Sequence, residues 1–280
     1  MTLDELLPDS DYRFSFRFER ADPRAFFGPT ELHRDLAAQR RSWLENEAER
    51  YAALLPDGEP LLDETIELCR EWGVLENEDD SFLNHPQQAW LRCIALGCSF
   101  EPDFLLLRTE ASGAARLVGG VVCFPSSWNL KEKIGRPITS IHEVVPGLNE
   151  SLGPQIHSFL MKLRPGVAWS RSNWGLSRTA ELNQHPARGL PRLDDQVGLE
   201  EVWLRVEHQV LVALPKTSGI LFGIRIAHHL LVDIQKNTLL AQRLAHALRT
   251  MPEPVAVYKG VAKVRDLLIE FLNTRQDAAP

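Results

Sequence analysis

EVWLRVEHQVLVAL, residues 201–214, is the stretch from which the fold is read. Successive side chains of a strand point to opposite faces. Val202, Leu204, Val206, Val210 and Val212 therefore point one way, and Trp203, Arg205, Glu207, Gln209 and Leu211 the other. His208 alone breaks the apolar face. A neutral imidazole there needs a hydrogen-bond partner or a ligand, and a satisfied buried histidine is the commoner case. On the other face Arg205 and Glu207 can share a charge network across neighbouring strands. That face is either a sheet surface covered by the N-terminal helical cap or the place where an acid holds a cationic substrate, since a buried alkylammonium needs an opposing charge.

Strand character extends on both sides of this segment. Gly219 to Ile226 follows after the short connection Pro-Lys-Thr-Ser, and Val167 to Leu176 precedes it across a polar loop at 177–200. Further upstream, Asp103 to Thr109 and Arg116 to Phe124 flank the turn-forming Ala-Ser-Gly-Ala at 111–114 and predict a hairpin. Pro125 stops its second strand, and Ser127 is placed to cap a short helix at Trp128. From there to Pro165, glycines and prolines at 135, 137, 146, 147, 153 and 154 predict short helices and tight turns.

Helical patterns occupy Leu32 to Leu55, Leu61 to Trp72 and Pro86 to Leu96, with Glu76 to Asp80 as a solvated acidic loop. After Asp233 two more run from Ile234 to Met251 and from Tyr258 to Asn273, parted by Pro252 and Pro254. The expected fold is α+β in three parts: an N-terminal helical cap (1–98), a core (99–232) and C-terminal helices packed on it (233–280). Two strands, a helical excursion and three more strands is the order of a PAS-like domain. Its five-stranded antiparallel sheet and excursion helices enclose a ligand.

The chain has 280 residues, 44% of them hydrophobic and 25% charged, which is enough to bury a sizeable core. A formal charge of -7 argues against a general nucleic-acid binder, which needs a basic face for phosphates. No stretch approaches the ~20 apolar residues of a membrane span. The start, MTLDELLPDSDYRF, is acidic where a signal peptide is basic and then apolar, so a cytoplasmic location is expected. Cys69, Cys93, Cys98 and Cys123 are too few for a disulfide scaffold and lack zinc spacing, and are expected as reduced thiols.

Several short motifs occur in a fixed order: Cys-Phe-Pro-Ser-Ser-Trp at 123–128, Lys133-Ile-Gly, Ile141-His142 before Val145-Pro-Gly, Arg171 with Asn173-Trp174, Leu204-Arg-Val-Glu207, and Phe222-Gly-Ile-Arg225. Together they resemble the family of the α subunit of haem-dependent oxidative N-demethylase. The resemblance begins in the helical cap at Trp43 and covers most of the chain. It implies a PAS-like fold that carries a b-type haem and removes a methyl group oxidatively from a small amine. Oxygen is the oxidant, and the electrons come from NADPH through a partner reductase bearing flavin and an iron-sulfur centre. This chain has neither a dinucleotide-binding glycine turn nor a cluster of iron-sulfur cysteines.

Residue by residue, the resemblance makes His142 the first candidate for the axial iron ligand, with His157, on the helix before the third strand, as its rival. Arg171, Asn173, Trp174 and Arg225 match motif positions and are expected to contact the cofactor. An arginine suits a propionate because its guanidinium offers paired donors to a carboxylate. Arg205, Glu207 and His208 are the catalytic candidates. His208 stands where the family pattern has arginine, which leaves the substrate open. The competing reading is a haem-based gas or redox sensor without turnover. No kinase, cyclase or DNA-binding pattern supplies it with an output.

Overall fold

The computed structural model describes residues 2–75, 88–110 and 113–274. Along the chain lie α1 (Leu3–Leu6), β1 (Glu19–Ala21), α2 (Pro23–Phe27), α3 (His33–Tyr51), β2 (Ala52–Leu54), α4 (Glu59–Glu71) and α5 (Ala89–Ser99). The hairpin β3 (Asp103–Thr109) and β4 (Ala115–Val121) follows, then α6 (Ile138–His142), α7 (Leu148–Met161), β5 (Ala168–Ser177), β6 (Trp203–Ala213) and β7 (Ile220–Leu230). The chain closes with α8 (Leu231–Lys236), α9 (Thr238–Thr250), α10 (Glu253–Tyr258) and α11 (Arg265–Asn273).

All strands join one antiparallel sheet in the order β1, β5, β6, β7, β3, β4, β2. The expected five strands are its inner five. Two further strands of three residues each, β1 and β2, form its edges. They escape the period-two test because three residues are too few to show an alternation. Residues 52–54 had fallen inside a stretch that reads as helix. β7 also runs four residues past Ile226. Ser127 has φ 61 and makes a turn, and the short 3-10 helix after it spans Leu130–Glu132, capped by Asn129. Pro254 sits in the first turn of α10, where its missing N–H costs nothing, and α11 starts only at Arg265. Glu76 to Asp80, Pro86 and part of the 111–114 turn lie outside the described residues.

The two faces of the sheet have different covers. On the face of Val202, Leu204 and Val206, helices α8 to α11 supply Leu231, Ile234, Leu244, Leu248 and Leu268. On the same face Val210 and Val212 pack with the N-terminal helices through Leu44, Leu62, Ile66 and Leu96. The helical cap therefore covers the side away from Arg205 and Glu207, contrary to the reading in which it roofs them. Packing there is close: a Cβ on Gly223 would stand 2.7 Å from Phe26 and Phe27. The excursion between β4 and β5 covers the opposite face, where Ile134, Ile138, Ile141 and Phe159 pack against Leu105, Leu117, Leu211 and Ile224.

A buried ion pair anchors the cap to the hairpin. Arg40 and Asp103 are both within 1% of full burial, and Arg40 Nη1 donates to Asp103 Oδ1 at 2.5 Å. Asp103 also accepts from the backbone N–H groups of Cys123 and Phe124, and Arg40 Nε donates to Gly97 O. All four cysteines are free thiols, as expected from their number. Burial pushes Cys93 and Cys123 up to about 12, which keeps them protonated and unreactive. Among the described residues no helix is long and apolar enough to cross a membrane.

Candidate functional site

Antiparallel pairing fixes which side chains share the excursion-side face. Three rows cross β5, β6 and β7: Arg171, Gln209 and Ile224; Asn173, Glu207 and Ile226; Gly175, Arg205 and His228. Although β7 is the middle strand of seven, Asn173, Glu207, Gln209 and Ile226 are only half-buried. A Cβ on Gly175 would meet nothing within 4 Å. This part of the excursion-side face is therefore incompletely covered.

Glu207 is the hub of that face. Its Oε1 accepts from Ser126 Oγ at 2.5 Å, and its Oε2 accepts from Asn173 Nδ2 at 3.1 Å and Gln209 Nε2 at 3.0 Å. Three neutral donors thus hold a carboxylate in place without neutralising it. Among the described residues Glu207 makes no ion pair, although Arg171, Arg205 and Lys259 all lie within electrostatic reach. The result is a half-buried anion with a fixed orientation, suited to receiving a cation.

Arg205 has a different task. Its Nε donates to Ser126 Oγ, Nη2 to the carbonyls of Phe124 and Leu182, and Nη1 to Glu181 O, with His228 Nε2 3.0 Å from Nη1. Its five N–H groups are all engaged. Arg205 ties the corner after β4 and the 177–200 loop to β6 and so sets the place of Ser126. It is a positioning residue rather than a group with a donor to spare.

Arg171, by contrast, is underused. Its Nε is buried with no hydrogen-bond partner, and its guanidinium stands 5.7 Å from the Phe18 ring, which stacks on Phe159. Burial pushes its pKa down and Glu207 opposes the shift. His142 ends α6; burial first and the charges of Arg171 and Lys133 second hold its imidazole down to about 4. The ring is therefore neutral at pH 7, the form that can ligate a metal. Gly135 at φ +80 and Gly147 at φ +74 bracket the segment that carries it, and such backbone is adopted at low cost by glycine.

His157 is on α7 and exposed, and it lines the same small cleft as His142, together with Ile138, Thr139, Asn149 and Leu160. The cleft measures only about 50 Å³. The remaining sequence candidates are on the far face. His208 Nδ1 lies 2.9 Å from Ser172 Oγ, and burial lowers its pKa. Arg225 donates to Phe26 O and Gly28 O and pairs with Glu101. Trp174 is buried against Tyr12. The structure thus puts Arg171, Asn173, Arg205 and Glu207 on one face of the sheet, with His142 on the excursion, and separates the four from His208, Trp174 and Arg225 by the thickness of the sheet.

Sequence reasoning missed Ser126, Gln209, Lys133 and Lys259. Gln209 was visible as a neighbour of Glu207 on the same face of β6. Lys259 carries no periodic signal, because it follows α10 and reaches the site only through the tertiary fold. Among the described residues no three histidine, cysteine or acidic side chains are grouped to hold a metal ion. A metal here would rely on one side chain and on ligands from outside the chain. The family model described as haem-dependent oxidative N-demethylase, alpha subunit-like, matches residues 74–269. That span includes every candidate residue named above.

Proposed function

Because the chain belongs to the family of haem-dependent oxidative N-demethylase, alpha subunit-like, we propose that it is the haem-bearing subunit of an oxidoreductase acting on a small N-methylated amine. The donors on the excursion-side face fit a b-type haem: a neutral imidazole at His142, a buried guanidinium at Arg171 with an unused Nε, and an apolar wall of Ile134, Ile141 and Phe159. In volume the cleft beside His142, about 50 Å³, is far below the roughly 300–1,000 Å³ of an organic-ligand pocket, so the support for haem here comes from the donor groups and not from a cavity of its size. The inner five strands follow a hairpin, an excursion and three strands, with β7 returning to pair with β3. This order supports the PAS-like reading.

In this reading His142 would hold the iron and Arg171 would pair with a carboxylate of the cofactor, while His157, exposed on the cleft that His142 lines, is the alternative to His142. Bound haem would supply the oxygen-activating iron. The chain's own residues bind and orient the amine. Glu207, held by Ser126, Asn173 and Gln209, receives the ammonium and takes the proton that the amine gives up. The apolar wall keeps bulk water from the reacting carbon.

Overall, an N-methyl amine, oxygen, two electrons and two protons give the demethylated amine, an aldehyde and water. In this reading the electrons come from a reductase partner carrying flavin and an iron-sulfur centre and drawing on NADPH; a subunit described as alpha implies a partner subunit. The observation that carries the proposal is the carboxylate of Glu207, oriented by three neutral donors on the sheet face that also carries Arg171. The test is oxygen consumption and aldehyde release by haem-loaded, chemically reduced protein over a series of secondary and tertiary methylamines. Turnover that vanishes in Glu207→Gln supports the reading, and no consumption above background with any amine rejects it.

A further inference from the structure

A cavity of about 340 Å³ lies where the ends of β6 and β7 meet the terminal helices. It falls within the roughly 300–1,000 Å³ of an organic-ligand pocket, whereas the cleft beside His142 measures about 50 Å³. Its lining includes Leu3 of α1, Trp203 at the start of β6, His228 near the end of β7, Asp233 and Ile234 of α8 and Leu240 of α9. β3 accompanies β7 only as far as Ile224, so no described strand lies beside residues 225–230 on that edge.

His228 decides what this cavity can take. Its Nε2 lies 3.0 Å from Arg205 Nη1. A guanidinium only donates, so Nε2 is the acceptor and the neutral ring carries its proton on Nδ1. Among the described residues that Nδ1–H makes no hydrogen bond, yet it is not sealed from solvent. Burial keeps His228, and His229 beside it in the lining, uncharged at pH 7. Asp233 is already paired with Lys236, whose Nζ donates to it at 2.6 Å. The lining therefore offers the apolar surface of Leu3, Ile234, Leu240 and the Trp203 ring, a spare imidazole donor and no net charge.

His228 also begins a chain of hydrogen bonds. It accepts from Arg205 Nη1; Arg205 Nε donates to Ser126 Oγ at 2.8 Å, and Ser126 Oγ donates to Glu207 Oε1 at 2.5 Å. A ligand that accepts from Nδ1–H makes Nε2 the better acceptor, because linked hydrogen bonds polarise one another. Arg205 is then held more tightly, and with it the hydroxyl that orients Glu207. We infer that this cavity binds a small neutral molecule with an apolar body and one accepting oxygen, and that His228 passes its presence to Glu207 through Arg205 and Ser126. The site is separate from the one proposed for haem and amine, and it rests on neither of those ligands.

The test is an NMR titration of the full chain with the neutral amides benzamide and acetanilide. It follows the ring-nitrogen resonances of His228 and the carboxyl-carbon resonance of Glu207, each assigned with its Gln variant. Both should move along one saturating curve at one ligand per chain. Toluene, which has no acceptor, should bind about fivefold more weakly, the worth of one neutral hydrogen bond. Leu3→Trp, which fills the cavity from α1, should abolish both responses and leave the rest of the spectrum unchanged. Ser126→Ala should keep the response at His228 and lose that at Glu207, and the kept response shows that the variant is folded. No saturable shift at His228 with either amide would overturn the site, as would undiminished binding in Leu3→Trp. Toluene binding as tightly as the amides would overturn the role of Nδ1–H. A Glu207 resonance that stays still while His228 moves, or that still moves in Ser126→Ala, would overturn the coupling.

Discussion

Ser126 donates its single hydroxyl proton to Glu207 at 2.5 Å while accepting from Arg205 Nε at 2.8 Å, so one oxygen joins the corner after β4 to the acid on β6. Replacing it with alanine leaves a buried Arg205 N–H unpaired and lets Glu207 turn. Ser126→Ala should lose about 1–3 kcal/mol of unfolding free energy in urea melts, the cost of one unsatisfied buried donor.

Glu207→Gln keeps the size of the side chain and removes its charge. Haem content should be unaffected, because the carboxylate contacts neighbours that also accommodate an amide. Binding of a methylammonium ligand should weaken by about 10- to 100-fold, the loss of a charge-assisted hydrogen bond. The shift of the Soret band on amine titration measures it.

The histidines dictate an acid limit. Burial first, with nearby cations second, holds both His142 and His228 down to about 4. In the unfolded chain an imidazole titrates near about 6.5. Between those values the unfolded state binds more protons, so stability is complete above about pH 6.5 and is lost as pH falls toward 4. His228→Gln can still accept from Arg205 and should flatten the stability-against-pH slope in that window by about one proton. Urea melts at a series of pH values provide the check.

His208 faces Ser172 on the side of the sheet away from Glu207. His208→Gln should therefore leave haem stoichiometry and amine binding intact and cost only about 1 kcal/mol of stability, the net worth of one hydrogen bond. A changed iron spectrum in this variant would show that the two faces communicate.

Arg40 is the chief structural charge. Arg40→Met removes the partner of Asp103 in a region with no access to water. Breaking a buried pair by removing one side typically costs about 3–5 kcal/mol. The loss should register in denaturant melts, with Asp103→Asn in the same background recovering part of it.

Much of the fold was legible because strand alternation is a local property. Val202 to Val212 announced β6, and the turn between β3 and β4 announced the hairpin. The short edge strands were not legible, since three residues carry no period. Nor was the face that each helical group covers, which depends on tertiary packing. The site was half legible. Glu207, Arg171, Asn173 and His142 fell on one face as motif positions, and Arg205 fell there too, although its role is to position others. Arg225 and His208 looked equivalent to them in sequence, yet strand parity puts both on the far face. Lys259 became visible only when the chain folded back to β5.

The most direct measurement is the absorption spectrum of wild type and His142→Ala, reconstituted with haem, oxidised and then reduced, with a pyridine haemochrome assay for stoichiometry. The account predicts about one haem per chain for wild type, as one such pocket would hold. It also predicts a weakened or displaced Soret band in His142→Ala that added imidazole restores, with His157→Ala unchanged. Wild-type protein that takes up no haem, or a His142→Ala spectrum indistinguishable from wild type, would contradict it.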